Sequence, residues 1–329
     1  VAFCIALLGA GLSQAGAQEA PSIEDGPAQV AKPPVDPAPV SETPTAAPQP
    51  QEPSLPVAPY DEAIFQQTIP SDQLAFLTQF AGAPSNDLYR DKQFHRILHT
   101  VVPGWMYHYG RDMPIQDALD RAIEGSAVPV EVREGRYVTV AGDMGPYLMG
   151  RGFVWIDIQE GIALGGFFFH PTNGEPTPTL TVFSKQVRED SLELSQLPPA
   201  FAEDLRRWSS ESGVPLLTTR YFIGGFNERI LLEHDENFCD YLPGVQGPPD
   251  DDCEQRNADA ADLDMNTAYY LDQVHYATNA TAWMIVGHDE TAFIALRDNT
   301  CGAGPNPLAC HIRMTREHTR RIVLRGPKG

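Results

Sequence analysis

Ile162-Ala163-Leu164-Gly165-Gly166-Phe167-Phe168-Phe169 is the stretch whose reading decides the fold. Side chains alternate between the two faces of a strand, and here both faces are apolar, so the stretch predicts a central strand. Working outward, 137–140, 153–158 and 180–183 are β-branched or aromatic and are punctuated by Gly or Pro, and Val128-x-Val130-x-Val132 alternates. Pro198-Pro199 opens a helix with Phe201, Leu205 and Trp208 on one face. Two further strands are predicted over 216–223 and 229–233, joined by Gly224-Gly225-Phe226-Asn227. Upstream, 71–125 reads as helical. Ser71-Asp72-Gln73 forms a cap, Leu88, Phe94, Ile97, Leu98 and Val101 form one stripe, and Ile115, Ala118, Leu119 and Ala122 follow Pro114. Strands that follow one another through short turns predict an α+β domain, 61–238, with a mostly antiparallel sheet.

The flanks have a different composition. Residues 1–12 are almost wholly apolar, and Ala15-Gly16-Ala17 has the small-x-small form of a signal-peptidase site. This predicts a leader over 1–17, cut before Gln18 and taking Cys4 with it. Residues 18–60 follow, and twelve of the chain's 30 prolines lie between Pro21 and Pro59. That segment has too little apolar surface to offset the entropy of ordering, so it reads as a disordered, semi-rigid spacer. No later stretch is long and apolar enough to span a bilayer. The 44 acidic against 23 basic residues, a formal charge of −21, oppose nucleic-acid binding, because phosphate contacts need a basic face.

After Cys239 the strand signals stop. A helical stripe runs over 259–283 with Met265, Ala268, Tyr269 and Leu271, a second over 291–299 with Ala292, Phe293 and Leu296, and a basic third over 311–324. Cys239, Cys253, Cys301 and Cys310 are even in number behind a leader, which predicts two disulfides with three connectivities open. Their spacings lack the C-x2-C pairs of zinc sites, so no metal is expected. The leader and the even cysteine count together predict a periplasmic or secreted protein.

The residues of this region form a pattern. Cys253 is followed by Asp262-x-x-Met265-Asn266-x-x-Tyr269. Then come Ala292-Phe293-Ile294-Ala295-Leu296-Arg297-Asp298-x-x-Cys301 and Cys310-x4-Thr315-x3-Thr319. The order resembles the LprI-type lysozyme-inhibitor domain family of bacterial envelopes, over about 239–323. Glu290, Phe293 and His318 depart from its usual Gln, Trp and Arg. The resemblance implies a small disulfide-linked helical domain, 239–329, without enzymatic activity or cofactor, and a basic lysozyme or other wall hydrolase as partner. Independently of it, Met265 and Tyr269 share a helix face, as do Phe293 and Leu296, and Arg297 needs an acceptor, for which Asp262 is the candidate.

Other groupings carry less chemistry. His95-x3-His99 has zinc-like spacing but no third ligand, and reads as partly exposed histidines. Trp105-Met106-Tyr107-His108-Tyr109 reads as a packed corner. His234-Asp235-Glu236 does not converge, because neighbours in a strand face opposite ways. Asp250-Asp251-Asp252, held between Pro248-Pro249 and Cys253, is the densest acidic site and the expected contact for a basic partner. The alternative function is an envelope enzyme or small-ligand receptor with its site in 61–238.

Overall fold

Residues Ile162–Phe169 form the middle strand of a seven-stranded sheet, buried along their whole length. The structure, a computed structural model, describes residues 62–108, 112–144, 150–172, 174–241 and 253–325. The leader over 1–17, the spacer over 18–60, Tyr109 and Asp250, Asp251 and Asp252 lie outside the described residues. The described elements belong to one compact unit, Leu55–Gly329.

Among the described residues the first α-helices are α1 (Ser71–Leu74), α2 (Ser85–Tyr89) and α3 (Lys92–Val101). A small antiparallel pair, β1 (Met106–His108) and β2 (Asp112–Pro114), leads into α4 (Ile115–Ile123). The sheet follows as β3 (Glu131–Arg133), β4 (Tyr137–Gly142), β5 (Arg151–Asp157), β6 (Ile162–Phe169) and β7 (Thr179–Phe183). After α5 (Pro199–Glu211) come β8 (Thr219–Ile223) and β9 (Arg229–Leu231). Spatial order equals chain order, and every pairing is antiparallel except β7 with β8. That exception spans α5, because a parallel pair needs a crossover rather than a hairpin.

The alternation of side chains builds two cores. Val138, Val140, Val154, Ile156, Phe167 and Phe169 face α2–α4, and Tyr107 stacks on Phe167 with ring centroids 5.4 Å apart. Of the packed corner expected at 105–109, Trp105 and Tyr107 join this core, whereas Met106 and His108 are exposed. Trp155, Phe153, Phe168, Val182 and Phe222 face Phe201, Leu205 and Trp208 of α5. The glycine pair of β6 has a packing reason: a Cβ at Gly165 would enter the Phe183 ring and one at Gly166 the Phe153 ring.

Several predicted boundaries move. β8 starts at Thr219 rather than at 216, since 215–218 makes a turn in which the Thr218 hydroxyl donates to Pro215 O. β9 ends at Leu231, though the Leu232 N–H still donates to Arg220 O. Pro129 cannot donate to a ladder, so β3 opens at Glu131 rather than at Val128. Pro70, not Ser71, stands at the cap of α1. The stripe from Leu88 to Val101 divides into α2 and α3, because Asp91 caps α3 by accepting from the Gln93 and Phe94 N–H groups at 2.7 and 3.1 Å.

Three helices complete the chain: α6 (Cys253–His275), α7 (Ala280–Gly302) and α8 (Pro307–Arg325). The predicted stripe over 259–283 breaks at 276–279, where the Asn279 side chain accepts from the Ala282 N–H and starts α7. The second helix accordingly runs well beyond 291–299. α7 returns antiparallel to α6, and α8 runs parallel to α6, because Asp262 early in α6 meets both Arg297 late in α7 and His311 early in α8. Leu231 of the last strand packs with Ala268 and Ile322, so the compact unit crosses the expected boundary at 238/239.

Candidate functional site

The joint between sheet and helices carries a group of buried and half-buried charges. Three residues past the end of β9, the His234 ring Nδ1 lies 2.7 Å from Asp264 Oδ1 and the His234 backbone N–H donates to Asp264 Oδ2 at 2.6 Å. Both side chains are buried. Arg220 donates to both carboxylate oxygens of Glu236 at 2.9 Å, and Arg316 donates to His234 O at 3.1 Å. His234, Asp235 and Glu236 lie past the end of β9 rather than in a strand, and they take separate surroundings: His234 is buried on Asp264, Asp235 is exposed and Glu236 is half-buried on Arg220. The partner of His234 comes instead from α6, which sequence reasoning missed. A signal was present: Asp264 lies on the same buried stripe as Ala260, Ala261, Thr267 and Ala268. Two neighbouring carboxyls are driven apart. Burial and the Asp264 charge raise Glu233 to about 7. Burial would raise Glu236 too, but the Arg220 guanidinium holds it below its ordinary value. With His234 closed from solvent, this is a fastening of helix to sheet.

The helical unit is held by a second node. Arg297 Nη1 donates to Asp262 Oδ1 at 2.8 Å and to the Thr315 hydroxyl at 3.2 Å, while its Nε donates to Asp298 Oδ1 at 3.0 Å. The expected Arg297–Asp262 pair is present, but the guanidinium divides its donors between two carboxylates instead of gripping one with both. His311 Nε2 lies 2.8 Å from the same Asp262 oxygen, so one carboxylate ties α6 to α7 and α8. His318 stacks flat on Phe293, with centroids 3.7 Å apart, and lies 3.0 Å from Glu290 Oε2. The disulfides are Cys239–Cys253 and Cys301–Cys310, both at the end of the unit where α6 begins and α7 ends.

The remaining motif residues divide by face. Met265 is buried, Tyr269 is half-buried and its hydroxyl accepts from Gln273 Nε2 at 2.7 Å, and Asn266 and Asp298 are exposed. Leu296 does not share the buried face of Phe293, as expected from spacing, but is 60 % exposed. The reason is that α7 touches its neighbours along a narrow line of Glu290, Phe293, Arg297 and Cys301. Trp283, Met284 and Ile285 are 47, 61 and 56 % exposed, and Leu324 of α8 is 72 % exposed.

Between α7 and α8 lies a groove of about 460 Å³ lined by Ala292, Phe293, Leu296, Met314 and Leu324, with Asp289, Arg321 and Arg325 at its rim. A second hollow of about 240 Å³ continues toward Ile285 and Tyr276 and shares Asp289, His318 and Arg325 with the first. Of the ionisable side chains on α7, His288, Asp289 and Asp298 are exposed while Glu290 and Arg297 are buried, so the apolar face is flanked by carboxylates.

His95 and His99 stay partly exposed on α3, and among the described residues no group of three or more His, Cys, Asp or Glu side chains is arranged to hold a metal. No described helix is long and apolar enough to cross a membrane. Compared with protein-family models, with curated proteins and with solved structures, the chain has no match.

Proposed function

We propose that this chain is an exported, non-enzymatic binding protein whose helical unit grips a basic protein partner, a lysozyme or another wall hydrolase, as the LprI resemblance implies. The observation that carries the reading is the apolar surface that α7 leaves in water, at Ile285 and Leu296 beside the two hollows and at Trp283 and Met284 elsewhere around the helix. Large apolar side chains on a helix are normally turned toward a packing partner. α7 instead leaves Trp283, Met284, Ile285 and Leu296 in water. An apolar centre with a charged rim is the anatomy of a protein interface. The rim carries both signs, Asp289 and Asp298 on α7 and Arg321 and Arg325 on α8, so the match to a basic partner rests on the chain's formal charge of −21, which accelerates encounter. Two disulfides and the Asp262 node brace the unit, so little ordering entropy is lost on binding. Asp250, Asp251 and Asp252 would add to the same field.

The test is binding of the immobilised full chain to a basic lysozyme and to an acidic wall hydrolase over a range of salt. Salt-sensitive binding of the basic enzyme alone is expected. Ile285→Asp with Leu296→Asp should weaken it by roughly 10-fold or more, since two apolar anchors on one side of α7 are lost. Absence of binding to any lysozyme, or full binding by the double variant, overturns the reading.

A further inference from the structure

A second surface, on the opposite architecture of the chain, has chemistry of a different kind. α5 covers its face of the sheet with Phe201, Leu205 and Trp208. Near the end of α5 the positions of β4 that line the hollow become small, Thr139 and Ala141, both buried. The result is a cleft of about 240 Å³ walled by Trp208 and Arg207 on one side and Glu131 on the other, with Arg151, Asp143 and Glu211 also lining it.

The charges in this cleft are not equivalent. Arg207 is occupied: it pairs with Glu131 at the edge strand and lies 3.0 Å from Asp204 Oδ1. Arg151 is not. It makes no ion pair or side-chain hydrogen bond among the described residues, and its Nη1 is buried without an acceptor. The guanidinium lies against Gly213, where a Cβ would be 3.4 Å from Nη1 and where φ of +66° favours glycine. A buried, unpaired guanidinium nitrogen is costly, and such groups in a folded protein call for an explanation. The planar fork of arginine is suited to a carboxylate. Asp143 and Glu211 at the cleft's mouth are exposed and also have no ion pair among the described residues. The cleft therefore presents one unanswered cation inside and two unanswered anions at the rim.

We infer that this cleft is a binding site for a small zwitterion of the free amino-acid class, with its carboxylate on Arg151 and its ammonium facing Asp143 and Glu211. Thr139 and Ser212 add hydroxyls to the lining, and Trp208 supplies an apolar wall for a short side chain. The site stands apart from the α7 face, so the chain would sense or hold a small ligand with its sheet and a protein with its helices.

Calorimetry on the full chain tests this, with glycine and alanine as ligands and with acetate and methylammonium as single-charge controls. Saturable binding of the amino acids, with both controls at least roughly 10-fold weaker, is expected because each charged contact contributes about that factor or more. Arg151→Gln should weaken alanine binding by a similar factor, with Arg151→Lys in between. Asp143→Asn with Glu211→Gln should weaken alanine and leave acetate unchanged. Circular dichroism and lysozyme binding by each variant report whether the fold and the α7 face are intact. Acetate binding as tightly as alanine, unchanged affinity in Arg151→Gln, or no heat at millimolar amino acid with a folded chain each overturn the proposal.

Discussion

Arg297 and Asp262 meet across 35 residues of sequence, with Nη1 2.8 Å from Oδ1, and their contact sets the order of all three C-terminal helices. Asp262 lies on α6, Arg297 on α7, and Thr315 and His311 of α8 reach the same carboxylate oxygen. The arginine side chain is nearly closed from solvent, whereas Asp262 is partly open.

Arg297→Ala leaves Asp262 short of its main donor and opens a gap at the centre of the unit. A loss of about 2–4 kcal/mol is expected, below the full cost of stranding a buried charge because Asp262 still reaches water. Arg325→Ala, at a loose exposed contact with Asp289, should leave stability unchanged. Urea unfolding of both variants makes the comparison, and equal effects would remove Asp262 from its place as the organising residue.

Glu233 makes stability depend on pH in an unusual direction. Its folded value is about 7, against an ordinary 4.5, because burial and Asp264 disfavour the charged form. The folded chain therefore holds this proton more tightly than the unfolded chain. The resulting stabilisation is complete below about 4.5 and is lost as pH rises toward and through 7. Glu233→Gln should abolish that slope and be more stable than the parent at pH 8, by about 1–2 kcal/mol after allowing for partial exposure. Thermal melts of both proteins from pH 4 to 8 should show the two curves separating as pH rises.

The two disulfides close loops of 14 and 9 residues within the helical unit. Each should contribute roughly 2–3 kcal/mol, mainly by restricting the unfolded chain. Reduction should expose α6–α8 to proteolysis before the sheet, which has no cysteine. Thiol titration of the denatured chain from Gln18 onward should find no free cysteine, and cleavage mapping should find cuts beyond residue 238 that appear only after reduction.

Gly166 on β6 faces the Phe153 ring without room for a methyl group. Gly166→Ala should cost roughly 1–3 kcal/mol through displacement of Phe153 and, behind it, Trp208, which stacks on Phe153 at 4.5 Å. Chemical denaturation gives the cost, and near-ultraviolet circular dichroism should change with it because the aromatic stack moves.

Much of the sheet was legible because its signal is local. An eight-residue apolar run such as Ile162–Phe169 has no exposed face to offer, and the regular punctuation around it left few ways to join the strands. The helical part was less so. Asn279 interrupts a continuous apolar stripe, and a cap is a single side-chain choice that periodicity does not register. Leu296 has the right spacing to join Phe293 but lies in water, because spacing assigns a residue to a stripe without saying how wide the partner's contact will be.

From its own composition and order, the chain determined a buried central strand, a mostly antiparallel sheet, four paired cysteines and an acceptor for Arg297, since each follows from periodicity, burial of apolar surface or the need to satisfy a charge nearby. Only the tertiary structure decided that His234 would answer Asp264, that Glu233 and Glu236 would titrate on opposite sides of their ordinary value, and that Arg151 would stand unanswered beside α5. These depend on which groups of distant segments come within about 3 Å and on how much water is excluded around them. Hydrogen bonding and desolvation act at that range in space, and sequence separation places no limit on it.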